Sequence, residues 1–132
     1  MIRIILLLVL LGTPAGAQTA MTGDEFDAYT IGKTLTFMEN GQAYGIEQYL
    51  PGRRVTWAFD NGACQKGRWF EAEPTTICFI YDKIPNQSQC WKFFKSETGI
   101  LARFIGETGG RELYEARRSR LPLLCLGPEV GV

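Results

Sequence analysis

Turn-forming residues punctuate this chain every 10 to 14 positions: Asn40-Gly41, Pro51-Gly52, Asn61-Gly62, Pro74, Pro85-Asn86, Gly99 and Gly109-Gly110. Asn-Gly and Gly-Gly reach positive φ at low cost, while proline fixes φ at a corner and denies a central strand one ladder bond. The intervals are too short for ordinary helices and are rich in Phe, Trp, Tyr, Thr, Val and Ile. This spacing predicts an antiparallel meander over 33–39, 43–50, 53–60, 65–71, 75–82, 89–96, 99–105 and 111–117. The expected class is mainly all-β: about eight strands closed as a small barrel or packed as a sandwich. Alternation agrees. Val55, Trp57 and Phe59 share one face against Arg54, Thr56 and Ala58, and Leu35 and Phe37 oppose Thr34 and Thr36. In 76–81 both faces are apolar, which predicts a central strand.

One short helix is expected before the strands, over 23–31. Thr22 and Glu25 form a capping box, Asp24, Glu25 and Asp27 suit a helix start, and Gly32 can supply the left-handed stop. Upstream, residues 1–17 read as a secretory leader. Arg3 precedes the apolar run Ile4–Leu11, Pro14 breaks it, and Ala15-Gly16-Ala17 offers small residues before a cut. Eight apolar residues cover only about 12 Å of helix against the ~30 Å of a bilayer core, so a membrane anchor is the weaker reading. Cleavage after Ala17 leaves 18–132 as a single β-rich domain with an irregular C-terminal tail and no integral membrane span. The expected location is the periplasm or the outside of the cell.

Export gives the four cysteines their meaning, because an even count in a small secreted domain reads first as disulfides. Cys78 and Cys90 flank the turn at Pro85-Asn86, and a register in which paired numbers sum to 168 sets them opposite each other. Cys64 is then left for Cys125, tying the tail to the third turn. The expected pairs are Cys78–Cys90 and Cys64–Cys125.

The remaining composition narrows the chemistry. With no histidine, Ser-His-Asp and Cys-His nucleophiles and histidine metal sites are excluded, and with no C-x-x-C no metal site or cofactor is expected. Equal numbers of acidic and basic residues argue against nucleic acid as a partner. Carboxylates are the remaining acid–base candidates. Glu71 with Glu73, or Glu112 with Glu115, are the pairs to consider for hydrolysis of envelope glycans, although strand-edge glutamates are usually just solvated. Trp57, Trp69, Trp91 and Tyr44 are the candidate ligand-binding residues, against the plainer reading that sheet aromatics build core. Arg117, Arg118 and Arg120 form the densest basic run. The plainer reading makes them the charged edge of a final strand, discouraging association between sheets.

Several segments resemble small exported proteobacterial proteins of unknown function: Gly32-Lys33-Thr34-Leu35-Thr36, Tyr49-Leu50-Pro51-Gly52-Arg53, Ile77-Cys78-Phe79-x-Tyr81 and Cys90-Trp91-x-Phe93-Phe94. That resemblance implies a periplasmic β-rich domain and no reaction. Gly67-Arg68-Trp69, on the fourth expected strand, resembles the Gly-x-Trp of lipocalins, which implies a barrel around an apolar ligand. The leading expectation is therefore a non-enzymatic barrel-like module binding a small apolar ligand or an envelope protein. A carboxylate-dependent hydrolase and a structural or inhibitory partner protein are the alternatives.

Overall fold

The computed structural model describes residues 18–59, 62–106 and 110–125, together with Gly12. The expected leader, Gly12 apart, lies outside the described residues. Helix α1, Gly23–Thr30, begins at the anticipated box: the Thr22 hydroxyl accepts from the Glu25 amide and Glu25 accepts from the Thr22 amide. Gly32 follows the helix with φ at 75°. Strands then run β1 Thr34–Glu39, β2 Gln42–Leu50, β3 Arg54–Phe59, β4 Cys64–Glu73, β5 Thr76–Tyr81, β6 Ser88–Ser96, β7 Gly99–Ile105 and β8 Glu112–Ser119. Each pairs antiparallel with its neighbour in sequence, and β8 returns to β1. Of barrel and sandwich, the chain forms the closed barrel.

Closure corrects the reading of the arginines. Because β8 lies between β7 and β1, it is not an edge, and Arg117, Arg118 and Arg120 protect no free ladder. Closed barrels remove edges altogether.

The bridges are Cys78–Cys90, with Cα atoms 4.0 Å apart, and Cys64–Cys125, with Cα atoms 5.4 Å apart. Cys78 and Cys90 are direct cross-strand partners, as the register summing to 168 requires. The second bridge secures the tail across the outside of the barrel. On its way the tail carbonyl of Leu121 accepts from the Thr34 hydroxyl, and the Leu123 amide donates to the Gln48 side chain.

The barrel has one plugged end. Phe26 of α1, fully buried, meets Tyr49, Trp69 and Phe79 edge-on at ring-centroid separations of 5.6, 5.0 and 6.3 Å, and lies against Phe93 at 4.3 Å. Two carboxylates fasten the plug. Glu71 accepts from the Gly23 and Thr75 amides, and the buried Glu115 accepts from the Tyr29 hydroxyl and the Ile100 amide. The opposite end, where β1 turns into β2 and β5 into β6, holds the cavity.

Candidate functional site

Eight strands enclose just enough space either for filling side chains or for one small ligand. Here the helix side is filled, and a cavity of about 160 Å³ remains toward the other end. Its wall combines Phe37, Tyr44, Trp57, Phe79, Tyr81, Trp91 and Phe93 with the smaller Ala102 and Leu113. Phe59 and Ile84, 43% and 44% exposed, stand at its rim.

Three polar side chains enter this aromatic wall: Glu47, Gln65 and Gln89. Glu47 is 1% exposed. The Tyr81 hydroxyl lies 3.1 and 3.2 Å from its two carboxylate oxygens and donates to them. Burial pushes the Glu47 carboxyl well above the usual range, and the Tyr81 bond offsets only part of that effect. Tyr81 is itself raised, first by burial and then by Glu47, so the phenol keeps its proton. Among the described residues, the buried Oε1 atom of Gln65 has no hydrogen-bond partner. None of the described lining residues is Lys or Arg. At the rim, Arg111 is occupied by Glu39 at 2.9 Å and by the Tyr44 hydroxyl at 3.3 Å, and Lys83 donates to the Cys64 carbonyl.

A β-bulge brings Glu47 indoors. From the Asn40-Gly41 turn, Glu39 pairs with Gln42 and Met38 with Ala43; the register then shifts, and Phe37 pairs with Gly45. Without that one-residue shift Leu35 would face Ile46; with it Leu35 faces Glu47. A slip of one residue exchanges the two faces of a strand, so Ile46 goes outward and Glu47 inward. Glu47, Trp57 and Gln65 then lie in register across β2, β3 and β4.

Two glycines give the site its shape. A Cβ on Gly45 would lie 2.2 Å from the Trp57 ring. One on Gly67 would lie 2.4 Å from the Ile80 carbonyl and 2.8 Å from the Tyr81 ring, so Gly67 admits the tyrosine that holds Glu47.

The structure therefore brings Trp57, Trp91 and Tyr44 of the sequence candidates to one cavity. Trp69 does not line this cavity: its ring packs under Phe26 at the plugged end, with the Arg53 guanidinium 4.5 Å from its centroid. The carboxylate pairs are not assembled as facing catalytic groups. Glu112 points outward to Arg103 while Glu115 points inward, and Glu71 is committed to backbone amides while Glu73 is exposed. Glu47, Gln65 and Gln89 were not singled out from sequence. The clue lay in the β2–β3 hairpin, where a turn at Pro51-Gly52 sets Glu47 opposite the inward Trp57.

Among the described residues, no group of three or more acidic or cysteine side chains is placed to hold a metal, and no helix is long and apolar enough to cross a membrane. Comparison with protein-family models, curated proteins and solved structures finds no match for the chain.

Proposed function

We propose that this protein is an exported binding module that takes a small, largely apolar ligand into the open end of its barrel. The observation that carries the reading is the aromatic cavity of about 160 Å³ opposite the end that Phe26 plugs. A cavity of about 150 Å³ is enough for a benzene-sized guest, which points to one ring or its aliphatic equivalent as the part of the ligand held inside. The two disulfides support export, since such bridges persist in oxidising compartments. Isothermal titration with benzyl alcohol tests the binding claim. One saturable site is expected, abolished by Ala102→Leu, which places extra carbons in the cavity. Absence of saturable binding, or binding indifferent to Ala102→Leu, would contradict the proposal.

A further inference from the structure

Resting on that cavity reading, we infer that the preferred ligand is a small primary ammonium carried on a compact apolar body, its N–H donors shared between Glu47 and Gln65. The wall chemistry is one-sided. Two potential acceptors line the cavity, the side chain of Glu47 and the Gln65 Oε1 atom, and the latter has no hydrogen-bond partner among the described residues. Among the described residues, no cationic side chain lines the space beside Glu47, and the rim cations Arg111 and Lys83 are engaged elsewhere. An acidic ligand would therefore carry a negative charge into the cavity with no cation among the described lining residues to pair with it. A neutral hydrocarbon would leave Gln65 unsatisfied, at the usual cost of a buried polar atom without a bond. An ammonium answers both acceptors, and the electron-rich rings around it favour positive charge. Tyr44 and Trp57 have centroids 5.7 Å apart, and Trp57 and Phe59 5.5 Å.

The protons balance simply. In the empty cavity burial favours the neutral carboxyl, with Tyr81, Tyr49 and Tyr44 as the titratable groups nearby and no charged one among the lining residues. An arriving ammonium favours the carboxylate, so the Glu47 proton leaves to buffer and the ion pair stays. Affinity for an ammonium therefore rises with pH up to the free-state pKa of Glu47, and affinity for a neutral isostere does not.

The test is a calorimetric comparison of benzylammonium, benzyl alcohol and benzoate on the wild-type chain, on Glu47→Gln and on Gln65→Leu, below the pH at which the amine loses its own proton. The expected order is benzylammonium first by about tenfold, benzoate last. The preference should disappear in Glu47→Gln and shrink in Gln65→Leu. The wild-type pH profile is independent of whether either variant folds: benzylammonium affinity rises with pH while benzyl alcohol stays flat. Equal binding of benzylammonium and benzyl alcohol, a preference that survives Glu47→Gln in a folded variant, or a flat ammonium profile overturns the inference and leaves the cavity reading standing. If none of the three compounds binds, both fall.

Discussion

Glu47 is a buried acid whose position depends on one bulge, and its proton makes a measurable signature. Its pKa is raised above the ordinary 4.5 by burial. The native state then binds more protons than the unfolded chain between that value and its raised one. Stability must fall as pH rises through this window and level off above it, by at most about 1.4 kcal/mol per pH unit for one proton. Urea denaturation across the range should show this slope in the wild type and its loss in Glu47→Gln. Glu71 works in the opposite sense. The amides of Thr75 and Gly23 lower its pKa, so its contribution is present above 4.5 and lost as pH falls below that value. The two effects occupy different pH ranges and are separable. The sequence concealed Glu47 because Ile46 and Leu50 make the other face of β2 look like the inner one; only the register against Trp57 reverses that impression.

At the scale of elements, local chemistry was readable and its destination was not. Thr22 and Glu25 announced the helix start, and strand limits fell within two residues of those expected, because proline and Asn-Gly act through their own φ preferences. That α1 plugs a barrel could not be read, since Phe26 acquires its meaning only from Tyr49, Trp69, Phe79 and Phe93 on three other hairpins. The energetics separate these two roles. Thr22→Ala removes the cap and should cost about 1 kcal/mol. Phe26→Ala opens the plug and should cost about 3–5 kcal/mol. Thermal or urea unfolding of both variants checks the ratio; similar losses would mean that the helix is held by its ends rather than by its aromatic anchor.

For the whole molecule, strand pattern predicts a β meander but leaves barrel and sandwich alike, because both alternate inward and outward residues. The deciding contact is β1 with β8, a register running from Thr34 with Ser119 to Met38 with Tyr114, far apart in sequence, that no local turn specifies. The same closure explains why the arginines of β8 protect no edge. Cysteine pairing was legible for a different reason: Cys78 and Cys90 follow from one hairpin, and Cys64–Cys125 from what remains. The latter closes a separation of 61 residues. In the chain-entropy model, replacing both its cysteines by serine should lower stability by about 4 kcal/mol. Denaturant unfolding of that double variant against the wild type measures it, and a loss near zero would show that the tail is held by its hydrogen bonds alone.

The three tryptophans provide an internal control for the central claim that the open half of the barrel is a ligand site. Trp57 and Trp91 line the cavity, whereas Trp69 lies under the helix plug. Indole N–H resonances followed by two-dimensional NMR during titration with benzyl alcohol report on all three at once. The Trp57 and Trp91 signals are expected to shift along one saturable curve while Trp69 stays within the noise, and Ala102→Leu should remove the shifts. Unmoved Trp57 and Trp91 signals, or a Trp69 response equal to theirs, would contradict the claim.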